Sequence, residues 1–273
     1  MNSDSSFVIG KTHKVCQDYA THGVSQVGRY AIVSDGCSGS PDTDFGARLI
    51  ARAATWHTPE LAIGLIQDYH NNVIKLANKW ADELLLPTQT LDATLLSIIA
   101  HPYKFYASVF GDGVIVTKCK DGTITVYSVA FEDGAPYYMT YTLDEKRKEV
   151  YRAHPNNNKE VSVTIFDSNW NITADTKEPL DEDVLCINKT SSQYEWAAVL
   201  SDGVHSFTEA SDTSTSISRK SVNYLTVIPR LLSFKGFQGE FVHRRMQKFQ
   251  KDAVVSGWQH NDDLSVAVVE FGE

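Results

Sequence analysis

The chain has no CxxC pair: its four cysteines, Cys16, Cys37, Cys119 and Cys186, lie scattered through 273 residues. That scatter argues against a zinc site or a redox motif and fits reduced thiols. An apolar run of bilayer length is also missing. Residues 1–6 are polar, and the apolar residues 7–9 are too few for the core of a secretion signal. The chain is therefore read as cytoplasmic, with no membrane partner. Basic stripes are absent as well. With 25 Lys and Arg against 34 Asp and Glu, the formal charge is -9, which disfavours nucleic acid, whose phosphates are gripped by clustered cations. The short run His243-Arg244-Arg245 reads as a solvated helix face. No solenoid repeat and no linker-like low-complexity tract interrupts the chain.

What remains is an ordinary globular mixture, 42% hydrophobic and 22% charged, enough to bury a sizeable core in one domain spanning residues 1–273. Residues 30–34, 94–100, 105–110, 114–118, 123–130, 196–201 and 264–271 are rich in β-branched and aromatic side chains and read as strands. Residues 44–57 and 59–86 have helical spacing instead, with Leu61, Leu65, Tyr69, Val73, Leu76, Trp80 and Leu84 recurring every three or four positions. Thr58 before Pro59 reads as an N-cap, and Asp42 and Asp44 as caps of the earlier helix. A third helical region, residues 221–255, breaks near Lys235-Gly236. Strands following paired helices, without βαβ alternation, imply an α+β fold of antiparallel sheets with helices outside. Residues 140–183 show little pattern and read as surface loops and edge strands.

One local arrangement recurs. An apolar strand runs into Asp-Gly at Asp35-Gly36, Asp112-Gly113 and Asp202-Gly203, and the acids Asp262 and Asp263 directly precede the last strand. Asp18 stands near the start. Taken singly, each Asp-Gly is a turn, because Gly takes positive φ and Asp bonds its own backbone. Taken together, carboxylates at strand ends supply the oxygen ligands a hard dication needs, and glycine lets a backbone carbonyl approach. Without a cation such carboxylates repel one another. The scarcity of His among them favours magnesium or manganese over zinc. Two such ions, roughly 3.5–4 Å apart, make a nucleophile of a bridging water and orient a phosphoryl group for in-line attack.

The ordered set Asp18, Asp35-Gly36, Asp92-Ala93-Thr94, Gly111-Asp112-Gly113, Ser201-Asp202-Gly203 and Asp262-Asp263-Leu264-Ser265 resembles the metal-dependent protein phosphatase 2C family across nearly the whole chain. The opening Gly10-Lys11-Thr12-His13 and the ending Trp258-Gln259-His260-Asn261 are similar to its bacterial branch. The resemblance implies a four-layer αββα sandwich, two central antiparallel sheets flanked by helix pairs. It implies a Ser/Thr phosphatase in which a water between two Mn2+ or Mg2+ ions attacks phosphorus directly. Asp35 would bridge the ions, the Gly36 carbonyl would bind one, Asp202 and Asp262 would complete a shell, and Asp18 would act through a water. Asp112, with Asp202, would hold a weaker third ion. Of the acids 262 and 263, the family pattern selects the first as ligand.

Departures from the pattern bear on substrate capture. Where many relatives carry an Arg that grips the substrate phosphate, this chain has His13, with Lys14 beside it. His13 is thus a phosphate ligand and proton donor, or a structural hydrogen-bonding histidine, with Lys14 as an accompanying substrate-binding candidate. Cys37 stands where eukaryotic relatives often place a His, and no Cys-phosphatase spacing surrounds it. The implied partners are a phosphorylated protein and a cognate Ser/Thr kinase, acting on a monomer. The rival readings are a weakened regulatory domain that binds phosphoproteins and a hydrolase of small phosphomonoesters.

Overall fold

The computed structural model describes residues 1–155, 158–213 and 216–272. The chain opens with β1 (Asn2–Val8) and the hairpin β2 (Asp18–Ser25) and β3 (Gly28–Asp35). Three helices follow, α1 (Thr43–Trp56), α2 (Thr58–Ala62) and α3 (Ile66–Glu83). Next come β4 (Leu95–Ala100), β5 (Lys104–Phe110), β6 (Gly113–Cys119) and β7 (Ile124–Phe131). A short helix, α4 (Glu145–Ala153), leads to β8 (Lys159–Phe166), β9 (Ile172–Pro179), β10 (Val184–Thr190) and β11 (Tyr194–Leu200). The rest comprises β12 (Phe207–Thr213), β13 (Ser216–Ser221), α5 (Tyr224–Leu231), α6 (Phe241–Val255), β14 (Trp258–His260) and β15 (Leu264–Glu270).

Two antiparallel sheets form the centre, ordered β1-β15-β11-β6-β7-β8-β9 and β10-β5-β4-β3-β2. Side-chain alternation shows how they are covered. Along β11, Ala197 and Val199 join the core between the sheets, while Trp196, Ala198 and Leu200 join a second core under α5 and α6. In β3 the consecutive residues Ala31, Ile32 and Val33 are all fully buried. Both faces of that strand are covered, one by the other sheet and one by α1. The layers are thus helices, sheet, sheet, helices, the expected four-layer sandwich. A third, small sheet, β13-β12-β14, lies beside them.

Several local expectations are corrected. The helix read over residues 59–86 is two helices, α2 and α3. The chain breaks at Gly64, whose φ of 82° leaves the helical region. Thr58 caps nothing, because its hydroxyl donates to the Thr55 carbonyl. Asp42 holds the N-cap position of α1 in a left-handed conformation, with no side-chain cap bond, and Asp44 lies in the first turn. The segment read as surface loops and edge strands does hold an edge strand, β9, exposed throughout, but it also holds the helix α4 and the inner strand β8. In α4 the Asp144 carboxylate accepts from the Lys146 and Arg147 amides, an N-cap that the sequence pattern did not reveal.

Candidate active site

Strand pairing brings the acids together. The β2–β3 register sets Asp18 directly opposite Asp35. Asp35 is tied to the next strand by Asp35 N to Thr94 Oγ1 at 3.2 Å and Thr94 N to the Asp35 carbonyl at 2.8 Å. A Cβ on Gly36 would stand 2.7 Å from the Thr43 carbonyl and 3.0 Å from that of Gln17, so only glycine fits there. Asp112 sits in the β5–β6 turn, and Asp202 opens a tight turn at the end of β11. A Cβ on Gly203 would fall 1.7 Å from the Asp263 carbonyl oxygen. That glycine lets the segment after β11 lie against the segment before β15, which carries Asp262.

The result is a cleft of about 170 Å3 at one edge of the sheets, lined by Asp35, Asp112, Asp202 and Asp262 with His13, Gly36 and Cys37. Asp18 lies buried at 1% exposure. Its Oδ2 accepts from Ser201 Oγ at 2.7 Å, whereas its Oδ1 has no partner. Lys14 is exposed and is not among the residues lining the cleft.

Asp18, Asp35, Asp112 and Asp202 hold their protons more tightly than ordinary carboxylates. Burial pushes the Asp18 carboxyl up to about 7, with Asp202 adding to the rise and the Ser201 hydroxyl opposing it. Burial, then the charges of Asp18 and Asp202, holds Asp35 well above the usual carboxylate range. Asp112 is raised by burial and by Asp202, and Asp202 by burial and by Asp262. Cys16, beneath the same acids, is pushed up to about 12 by burial and by Asp263 and Asp18, so its thiol stays protonated.

The two adjacent acids at 262 and 263 have different tasks. Asp263, 1% exposed, accepts Gly10 N at 2.7 Å on Oδ1 and Gln17 N at 2.6 Å on Oδ2, stapling the loop after β1 to the last strand. Asp262 faces the opening, its side chain 46% exposed. His13 sits between them, Nε2 3.3 Å from Asp262 Oδ1 and Nδ1 3.1 Å from Asp263 Oδ2. Burial lowers its pKa, but Asp263, Asp262 and Asp18 outweigh that and hold it above the ordinary value. Among the described residues lining the cleft there is no Lys or Arg.

Sequence reasoning missed part of the cleft wall. Gly134, Pro136 and Tyr138 line it. Burial, a hydrogen bond with Cys37 and the nearby acids raise the Tyr138 phenol, which remains protonated. Behind the wall, Asp92 accepts from Ser40 Oγ at 2.7 Å, Thr140 Oγ1 at 2.5 Å and Arg147 Nη2 at 2.8 Å. The Asp92 carbonyl accepts from Cys37 N at 2.8 Å, so α4 is tied to the cleft through one carboxylate. Asp92 was read only as part of a motif, and Tyr138 and Arg147 carry no local signature.

The donor set is all oxygen, as a hard dication prefers. A buried carboxylate oxygen without a partner, among acids that raise one another's pKa, fits a missing positive charge. Among the described residues, no group of three or more His, Cys, Asp or Glu side chains is placed so that it could hold a metal ion as it stands.

The protein phosphatase 2C family model matches residues 10–210, about three quarters of the chain. No curated protein matches it by sequence. Among solved structures, the serine/threonine phosphatase Stp1 from Staphylococcus aureus is similar with a TM-score of 0.57 at 10% identity, covering 100% of this chain and 96% of that one. The serine/threonine phosphatase PstP/Ppp of Mycobacterium tuberculosis gives 0.53 at 16% identity, covering 99% and 98%. The serine/threonine phosphatase of S. agalactiae gives 0.52 at 14%, covering 99% of both chains. At such identities the structures speak for the fold, and the family match speaks for descent: the chain belongs to the protein phosphatase 2C family of phosphoprotein phosphatases.

Proposed function

We propose that the cleft hydrolyses phosphoserine and phosphothreonine on proteins, with Mn2+ or Mg2+ held by Asp35, Asp202, Asp262 and the Gly36 carbonyl. Asp18 would act through a water, and Asp112 with Asp202 would hold a third, weaker ion. The observation behind this reading is the meeting of Asp35, Asp112, Asp202 and Asp262, from separate strand ends, in one cleft above the unpartnered Asp18 Oδ1. When bound, the cations would ionise a water at neutral pH and draw charge from the phosphoryl oxygens.

The chain's own residues do the rest. His13, whose hold on a proton is strengthened by its acidic neighbours, lines the cleft that the phosphate enters, where in its protonated form it can donate to an ester oxygen. Lys14, exposed beside the cleft, is left a peripheral role in drawing in an anionic substrate. Tyr138 and Pro136 also line the cleft, where their bulk limits water around the ester. Cys37 takes no covalent part. The reading extends to one catalytic unit over residues 1–273, a cytoplasmic monomer whose substrates are set by a partner Ser/Thr kinase.

The test is turnover of a phosphothreonine peptide by the purified chain with manganese. Activity should vanish with a chelator and fall by about 100-fold or more in Asp35→Asn or Asp202→Asn, as loss of a metal ligand demands. Undiminished turnover in either variant refutes the assignment. Anomalous scattering from manganese-soaked crystals would name the ligands directly.

A further inference from the structure

A second concave site lies far from the cleft, where α5 ends and α6 begins. Lys235, Arg244, Arg245 and Lys248 line a cavity of about 350 Å3 together with Phe234 and Phe241, and among the described residues no Asp or Glu lines it. In a chain with 34 acids and 25 bases, four cations around one hollow with no acid among them run against the composition. Like charges so placed repel, and an anion between them relieves that cost. Phe234 packs on Trp196 at 5.8 Å between ring centroids, at the start of β11. Asp202 follows the other end of that strand, so the two sites are roughly 20 Å apart at about 3.3 Å per residue.

The arginines are preorganised by carbonyls, which leave their charge uncompensated. Arg244 Nη2 donates to the Gln238 carbonyl at 2.6 Å. Arg245 donates through Nε at 2.9 Å, and again through Nη2, to the Arg230 carbonyl. Its side chain is only 11% exposed, and its one ion-pair partner among the described residues, Asp252, stands 3.9 Å away. Lys235 and Lys248 form no ion pair among the described residues. The run His243-Arg244-Arg245 is therefore not simply the solvated helix face that the sequence suggested.

We propose that this cavity binds a small molecule carrying two or more phosphates and a flat ring, of the nucleoside di- or triphosphate class. Guanidinium forks match phosphate oxygens, and flexible lysines add charge at the rim. The volume lies in the range of about 300–1,000 Å3 in which proteins hold small ligands, more than a single phosphate fills. Phe234 and Phe241 give the apolar wall against which a ring can lie.

Calorimetric titration with adenosine triphosphate and with tripolyphosphate tests this. A chelator is present, so that the acidic cleft carries no cation and repels both probes. Saturable one-to-one binding is expected, with the nucleotide at least about fivefold tighter than tripolyphosphate if the rings contribute about 1 kcal/mol. The exposed double variant Lys235→Glu/Lys248→Glu should weaken both by at least about tenfold. Its melting temperature without ligand and its turnover of phosphopeptide should match the parent's. Arg244→Gln, which removes the charge but keeps a polar head on a shorter stem, should weaken both probes as well. No saturable binding, binding unchanged in these variants, or a nucleotide no tighter than tripolyphosphate would overturn the proposal.

Discussion

Replacing Asp35 with Asn should make the metal-free protein more stable while abolishing its activity. Burial and like charge raise the acids of the cleft, and Asp18 moves from 3.8 in the unfolded chain to about 7 in the folded one. At ~1.4 kcal/mol per pKa unit that gap is worth about 4 kcal/mol against folding above pH 7. Asp35 is itself raised by burial and by the charges of Asp18 and Asp202, and Asn in its place has no charge to desolvate, so about 2 kcal/mol of a cost of this order is recovered. For a chain this large, that is about 4–8 °C in melting temperature. The sign follows from linkage. Below pH 3.8 the acids are protonated in both states and the penalty is absent; it grows as pH rises and is full above about 7. Metal-free wild type should therefore lose stability from pH 4 toward 7 more steeply than Asp35→Asn. With manganese at a hundred times its dissociation constant, wild type regains about 2.7 kcal/mol, and the order inverts if the variant cannot bind. Differential scanning fluorimetry across pH, with chelator or manganese, reads both effects. A variant that melts lower than wild type in chelator, or gains as much from manganese, refutes the reasoning.

Other substitutions separate neighbouring roles. Asp262→Asn should weaken manganese binding by about tenfold or more without lowering the metal-free melting temperature, whereas Asp263→Asn should cost about 2 kcal/mol in urea unfolding by weakening its bonds to Gly10 N and Gln17 N. Gly203→Ala should fail to accumulate as folded protein, since its Cβ meets backbone at 1.7 Å, while Gly134→Ala, whose Cβ has nothing within 4 Å, should survive with at most a modest cost for its positive φ; soluble yield and circular dichroism decide. His70, 1% exposed and lowered by burial to about 4, should destabilise the fold as pH falls from 6.5 toward 4 by at most about 3 kcal/mol; His70→Leu should show a flatter acid limb in pH-dependent unfolding.

Most of the strands that sequence made visible are packed on both faces, while β7 showed through its alternation of buried and partly exposed residues. β3, β4, β6, β11 and β15 carry consecutive apolar, mostly β-branched or aliphatic residues because sheet and helices cover them from either side. β1 was not visible: the sequence NSDSSFV is largely polar, and the strand is held at the sheet edge by its full pairing with β15. β9, exposed at every position, falls in the stretch read as loops and edge strands, but its polar sequence did not mark its bounds. Asp35, Asp112 and Asp202 were legible because each follows an apolar run, and Asp262 because it precedes one, signals that lie within a few residues, whereas Asp18 owed its place to the family resemblance. The Asp92–Arg147 tie, the Tyr138 wall and the basic cavity were not, since each depends on contacts across loops that only the folded chain makes. The difference between Asp262 and Asp263 likewise needed the Gly10 and Gln17 amides in place.

The position of β15 has a consequence for synthesis. This strand inserts between β1 and β11, and the segment just ahead of it brings Asp262 to the cleft and Asp263 to the loop after β1. A nascent chain whose residues 258–270 are still inside the ribosome can pair β2 with β3 and raise its first helices. It cannot join β1 to β11. Catalytic competence should thus arrive in a single late event, sparing the cell a half-made hydrolase, at the cost of leaving two strand edges open to misassociation until then.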